Sequence, residues 1–423
     1  MNLEPAAKTK PATLWRHRDF LKLWVGESIS VFGSQFTGIA LPIIATDLGA
    51  TTLQFGILNA LGTAPFLMFG LIVGVWVDRW PRKPILIVGD VGRGFIVLGI
   101  AFLFTAKILG FIHLYVAAFF TGTLTVFFDV AYQSYVPSLV TSDQLVDANG
   151  KLETTRAASQ VAGPGIGAIL VSVFTAAVAM ILDALTFFVS VAALLTIRRK
   201  EVPPEKKRTP MIADVREGLG VVFGDRRLRA IAGCTATSNF FFSALGAAFI
   251  PFLFVTLGYN TKTSLGAVLG LTAALGSIGA LVGAVVAGKI GKRIGVGNAI
   301  ILGSVMFVLS PGLFVLAAQP YAVVLLTLGQ FTALFGALVY NVNQVSFRQA
   351  ITPNRLQGRM NATMRFLVWG TLPLGALTGG FLGTIVGIRE TLAFALAGAS
   401  TAVFWILLSP VPAVKTIPAP VKE

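Results

Sequence analysis

Residues 52–77 read TLQFGILNALGTAPFLMFGLIVGVWV, residues 78–83 read DRWPRK, and residues 84–106 read PILIVGDVGRGFIVLGIAFLFTA. Two long apolar runs thus flank a short gap holding Asp78, Arg79, Arg82 and Lys83. A helix needs about 20 apolar residues to cross the hydrocarbon core of a bilayer. Worked outward, the same alternation recurs along the whole chain. The runs are 19–45, 52–77, 84–106, 111–136, 148–174, 177–197, 228–256, 264–288, 295–317, 320–345, 360–386 and 390–409. The expected fold is an all-α membrane protein of twelve transmembrane helices.

Basic residues fall in every second gap. One set of gaps holds Lys8, Lys10, Arg16 and Arg18, then Arg79, Arg82 and Lys83, then Arg198 to Lys200 and Arg226 to Arg229, then Lys289, Lys292 and Arg293, and finally Arg348, Arg355, Arg359 and Lys415. The opposite gaps hold only Lys107, Lys262 and Arg389. Lys and Arg in short loops stay on the cytoplasmic side, so both termini are expected in the cytoplasm and the chain in the inner membrane. Tyr115, Tyr259 and Tyr321 sit near the outer ends, where an amphipathic ring settles at the interface. Met1 to Arg18 is polar and the first apolar run is too long for a signal h-region, so no cleavable leader is expected.

Composition narrows the function. Of 423 residues 55% are hydrophobic and only 12% charged, half the ~25% of a soluble domain. The net charge of +15 is spread between the spans instead of forming one patch, so nucleic acid is not an expected partner. One cysteine, Cys234, and two histidines, His17 and His113, leave no disulfide framework and no metal site. Neither a phosphate-cradling loop nor a nucleophile with its base is visible, so an enzyme, a receptor with a catalytic constellation or an ATP-driven pump in one chain is not expected, and no cofactor is.

The second half echoes the first at an offset of roughly 210 residues. Gln133, Thr141, Leu145 and Asn149 are answered by Gln344, Thr352, Leu356 and Asn361, and Pro42 by Pro251. Three parts are expected: a six-helix bundle over 1–198, a basic cytoplasmic linker over 199–227 with a short amphipathic helix around Ile212 to Phe223, and a second bundle over 228–423. Paired halves place a substrate site between them near mid-membrane.

The motifs resemble those of the major facilitator superfamily. Gly74-Val-Trp-Val-Asp78-Arg79-Trp-Pro81-Arg82-Lys83 matches its loop motif G-x-x-x-D-R-x-G-R-K except at Pro81. Gly150, Ser159, Gly163-Pro164 and Gly167-Ala168 are similar to the antiporter signature G-x8-G-x3-G-P-x2-G-G, with Ser159 and Ala168 as small substitutes. Arg18 to Trp24, Tyr135 to Glu153 and Asp183 to Phe187 resemble the drug:proton antiporter-3 branch, which includes macrolide-efflux and siderophore-export proteins. Span 4 departs from other drug-antiporter branches in carrying no intramembrane Arg. The resemblance implies a proton-coupled exporter working by alternating access, with the loop after span 2 holding the halves together while the transporter faces outward.

Those residues also have physical content. A latch of Gly74, Asp78, Arg79, Arg82 and Lys83, with Asp90 and Arg93 one span on as a structural pair or part of its network, can bias a two-state equilibrium by an ion pair formed in one state only. Gly150, Ser159, Gly163 and Gly167 let a second helix approach closely, and Pro164 removes a backbone hydrogen bond. Ionisable groups at membrane depth are costly and mark function. Glu27, Asp183 and Asp129 are the proton-coupling candidates, with neither Glu27 nor Asp183 ahead, while Glu153 and Arg156 repeat the i, i+3 pairing of Asp90 and Arg93, and Arg365 is placed to meet a first-half carboxylate. An aromatic cavity with few polar anchors suits a bulky amphipathic ligand. Its candidate lining is Ser30, Ser34, Asn239, Phe240, Phe241, Asn341, Gln344 and Trp369. Expected partners are membrane lipid, an amphipathic small molecule and protons, and the expected state is a monomer. A lipid or lysophospholipid flippase on the same scaffold is the alternative.

Overall fold

A computed structural model describes residues 14–77, 80–141, 144–199, 201 and 211–418. Asp78 and Arg79, the centre of the expected latch, lie outside them. The described chain is all helix: α1 Arg18–Asp47, α2 Thr52–Val77, α3 Arg82–Thr105, α4 Phe111–Leu139, α5 Leu145–Val173, α6 Ala176–Thr196, α7 Met211–Gly224, α8 Arg226–Pro251, α9 Lys262–Ile294, α10 Val296–Leu316, α11 Ala322–Ile351, α12 Asn354–Trp369, α13 Thr371–Ile385 and α14 Ile388–Leu407. A π-helical turn over Phe252–Thr256 extends α8.

Eleven of the described helical segments are long and apolar enough to cross a membrane, with α12 and α13 counted as one crossing. The expected twelfth, α5, is 29 residues long but too polar. Asp147, Lys151, Glu153 and Arg156 crowd its first half. Sequence-local signals set the helix starts. Thr175 caps α6, accepting from the Val178 amide at 3.2 Å. Thr261 and Ser264 form a reciprocal capping box on α9. Asp225 caps α8, accepting from the Arg227 amide at 2.7 Å. Burial alone would raise the Asp225 carboxyl, but the side-chain and backbone hydrogen bonds from Arg227 outweigh it and hold the group below its ordinary range. Gly295 ends α9 and starts α10 with φ of 92°, which favours glycine.

All the α1, α3, α5, α8, α10 and α12 starts lie at one end of the molecule, the end carrying most arginines and lysines, here the basic end. At the far end a single buried apolar cluster draws on both halves: Ile39 to Ala45 of α1, Phe55 of α2, Met180 of α6, Leu245 and Ala248 of α8, and Leu265 to Leu269 of α9. At the basic end the clusters separate. One comprises first-half residues alone, from Leu14 to Ile197, one second-half residues alone, from Ala230 to Val411, and one joins Val222 of α7 to Leu228, Ala232, Met360 and Met364 of the second half. Among the described residues, a buried apolar cluster shared by both halves is therefore found not at the basic end but at the far end. Lys262 pairs with Asp47 there at 2.7 Å, but a pair this exposed contributes at most about 1 kcal/mol. Opening that end to water would hydrate the apolar cluster, at roughly 1.5–3 kcal/mol for each large side chain. The cluster, not the ion pair, is the seal.

Two helix seams join the halves along their length. A Cβ on Gly56 of α2 would stand 2.7 Å from the Gly380 Cα of α13, so only glycine permits that approach. On the other side Ser277 of α9 donates to the Gln160 carbonyl of α5 at 2.8 Å.

Candidate functional site

Beneath the far-end seal lies a cavity of about 670 Å³, walled by α1, α2, α3, α4, α6 and α8. Its wall is mostly aliphatic and aromatic, including Phe55, Phe66, Phe187 and Phe249. Two charged side chains reach it, Arg93 of α3 and Asp183 of α6. Asp183 is 1% exposed. Thr37 of α1 donates to its Oδ2 at 2.5 Å and Thr186 to its Oδ1 at 3.4 Å. Arg93 donates to Asp90 Oδ1 at 2.5 Å and to the Gly89 carbonyl at 3.4 Å. Its guanidinium lies over the rings of Phe128 and Phe187, 4.2 and 4.8 Å from their centroids. Asp90 is fully buried. A charge pair this deep is costly to desolvate and is tolerated when well bonded, while either member alone is a heavy penalty.

Glu27 stands one layer nearer the basic end. It is half-buried and makes no hydrogen bond or ion pair among the described residues. The charges of Asp90, Arg93 and Asp129 act on it, so the four form one electrostatic group inside the first half. Ser34 lines the cavity and donates to the buried Ser30 carbonyl at 3.1 Å. Thr37, unremarked in the sequence, continues that polar stripe one turn on and ties α1 to Asp183.

Asp129 of α4 and Arg365 of α12 line a second, smaller pocket together with Phe66 and Trp369. Phe66 and Trp369 meet edge to face at 4.7 Å across the two halves, and Phe66 walls both spaces. Among the described residues no ion pair within 4.0 Å joins Asp129 to Arg365. Arg365 is exposed and lies over the Trp369 ring at 5.3 Å.

Several expected lining residues sit elsewhere. Asn239 donates to the Val368 carbonyl at 3.1 Å, fastening α8 to α12. Phe240 and Phe241 pack on one another, and Phe241 on Phe394 of α14, within the second half. Phe249 and Ile250 of α8 reach the cavity instead. Nine residues of helix turn the chain by two and a half turns, which sets Phe249 opposite Phe240. Buried Gln344 donates to exposed Asn341 at 3.2 Å on α11, away from the cavity wall.

The described latch residues find partners at the end of the first half and the start of the linker. Glu201, missed in the sequence as one acid in a basic stretch, accepts from the Arg82 amide at 2.7 Å and from Arg82 Nη1 at 3.0 Å. Lys83 Nζ donates to the Ile197 carbonyl at 2.8 Å. Gly74 has open space around its Cα. Asp90 and Arg93 lie a further two turns and more along α3, with Arg93 on the cavity wall and Asp90 bonded to it. On α5, Gly163 and Gly167 pack against Gln35 and Phe36 of α1, and Pro164 and Ala168 meet Gly270 of α9. Ser159 is buried and donates to the Arg156 carbonyl at 2.8 Å, while Gly150 is exposed.

A profile of the Major Facilitator Superfamily matches residues 23–367. The chain belongs to that superfamily. It is an integral membrane transporter, not an enzyme. The chain is similar to the enterobactin exporter EntS of Salmonella typhimurium, 27% identical over 350 residues, 82% of this chain and 81% of the relative. It is similar to the multidrug efflux pump Tap of Mycolicibacterium fortuitum, 26% identical over 369 residues, 85% and 88% of the two chains. Macrolide efflux protein A of Streptococcus pyogenes is 24% identical over 238 residues, 54% of this chain and 57% of that one. In fold, this superfamily member matches an inward-facing bacterial homologue of the iron transporter ferroportin, with a TM-score of 0.70 at 16% identity over 94% of this chain and 99% of the other.

Proposed function

We propose that the protein exports amphipathic small molecules, of the drug, macrolide or siderophore kind, across the inner membrane by alternating access driven by protons. Residues 1–198 and 228–423 are the two rocking bundles, α5 completes twelve crossings, and the basic end faces the cytoplasm. The protein works as a monomer. The observation that carries the proposal is Asp183 on the wall of a mostly apolar cavity of about 670 Å³. A carboxyl group shared between substrate space and buried partners can trade a proton for ligand in the same site. The permanent charge of Arg93 acts on both Asp183 and Glu27, which supports placing the two carboxyls in one electrostatic field. The efflux names of three relatives support the direction of transport. No specific observation favours the lipid-flippase alternative. An apolar cluster shared by both halves at the far end alone supports reading this conformation as open towards the cytoplasm.

The test is substrate uptake into inverted membrane vesicles, using a cationic dye, a macrolide and a catecholate in parallel. An imposed proton gradient should drive accumulation, and a protonophore should collapse it. Accumulation that survives the protonophore would rule out proton drive.

A further inference from the structure

A second kind of site lies on the rim of the basic end, outside the cavity. There α8 and α14, the first and last spanning helices of the second half, leave an open groove of about 370 Å³. Arg226 and Arg229 of α8 form one wall, and Phe404, Trp405 and Leu408 of α14 the other. The neighbouring acid Asp225 is bound to Arg227 at 2.6 Å and neutralises neither wall cation. Arg226 makes no hydrogen bond or ion pair among the described residues, and Arg229 donates only to the Phe223 carbonyl at 3.2 Å. Phe404 is 56% and Leu408 80% exposed. Trp405 satisfies its indole N–H on Thr237 at 3.1 Å, so its ring is left as apolar surface.

The same place in the first half carries the same design. Between α1 and α6 an open groove of about 790 Å³ is lined by Arg18, Lys22, Arg198, Leu195 and Thr196. Asp19 is there too, but it accepts from Lys22 at 3.3 Å and from the Arg198 and Arg199 amides. Arg18 and Arg226 each open the first helix of their half, and Leu195 and Trp405 each stand near the end of its last. The two grooves share basic side chains and a repeat-related position, while the first-half one has only Leu195 as apolar wall and its Lys22 also donates to the Thr196 carbonyl at 2.6 Å.

We propose that this pair of grooves binds the headgroups of anionic phospholipids, one in each half. The grooves open on the flank of a membrane protein, at the level where its spanning helices begin. A phosphodiester accepts paired hydrogen bonds from guanidinium groups, and acyl chains lie along Phe404 and Leu408. A free anion would meet the cations and leave those apolar side chains unused. A zwitterionic headgroup would bring its own cation towards two arginines. The site does not depend on the transported substrate or on proton coupling.

Native mass spectrometry of the full-length protein, titrated with phosphatidylglycerol or with phosphatidylcholine of the same chains, tests it. Two phosphatidylglycerol molecules should be retained roughly tenfold more tightly than phosphatidylcholine. Arg226→Gln with Arg229→Gln should leave one, and Arg18→Gln with Lys22→Gln should leave one. All four together should leave none, in protein that elutes and melts like the parent. High salt applied to the unaltered protein should release both, a readout independent of the variants. Equal retention of the two lipids, unchanged stoichiometry in the fourfold variant, or displacement of the lipid by excess inorganic phosphate would each overturn the proposal.

Discussion

At the residue scale, Arg93 carries more structural consequence than any other cation described. Its charge offsets buried Asp90 and its planar group is held between Phe128 and Phe187. Arg93→Ala should destabilise the protein by about 3–5 kcal/mol, because it strands a buried carboxylate. Arg93→Ala with Asp90→Ala should recover much of that loss, and thermal unfolding in detergent reads both. Asp183→Asn keeps the shape of the site and both threonine contacts but removes the exchangeable proton. It should abolish uphill accumulation in inverted vesicles while leaving downhill dye flux; unimpaired uphill transport would exclude Asp183 as the coupling group. The gradient at stake is about 2.3 kcal/mol per charge at 100 mV, enough for a forty- to fifty-fold ratio. Asp183 and Glu27 were legible as carboxylates at membrane depth. Their partners were not, because Thr37, Asp90 and Arg93 reach them from other helices.

At the scale of elements, α5 decides how the halves are joined. Its small residues face α1 at Gly163 and Gly167 and α9 at Ala168. Gly163→Leu would drive a side chain into Gln35, and overpacking of this kind costs typically about 1–3 kcal/mol. Reduced thermal stability together with slowed transport is expected, whereas Gly150→Leu, at an exposed position with open space, should change neither. The spacing of small residues in this helix was visible in the sequence. Its neighbours were not, since spacing says that something approaches and not what. The phenylalanines of α8 show the converse limit: composition marked the helix as aromatic, yet only its rotation, set by packing against α13 and α14, turns Phe249 to the cavity and Phe241 away.

For the whole molecule, the unequal sealing of the two ends is the central property. Asp47→Cys with Lys262→Cys would place two thiols across the far-end seam, where the native side chains meet at 2.7 Å. Cross-linking them should halt transport by preventing that end from opening, and reduction should restore it. Full activity of the cross-linked protein would show that the seal need not break. The only native cysteine, Cys234, is buried, so the background for such labelling is low. Charge-swapping Asp129 and Arg365 offers a parallel check, because opposite charges on the two halves that share a pocket without pairing are placed to pair when the basic end closes. Asp129→Arg and Arg365→Asp singly should each slow transport, and the double variant should regain part of it.

The chain by itself determined that the fold is helical and that eleven of its twelve expected runs are long and apolar enough to cross a membrane. Those follow from run length and from charges placed a few residues away, which act locally along the sequence. It also marked Glu27, Asp129 and Asp183 as carboxylates within apolar runs. Tertiary structure alone decided which side chains those carboxylates meet, which aromatic rings wall the cavity and at which end the two halves share a buried apolar cluster. These depend on how helices rotate and lean against partners a hundred or more residues away, where packing of small side chains, not local pattern, sets the geometry.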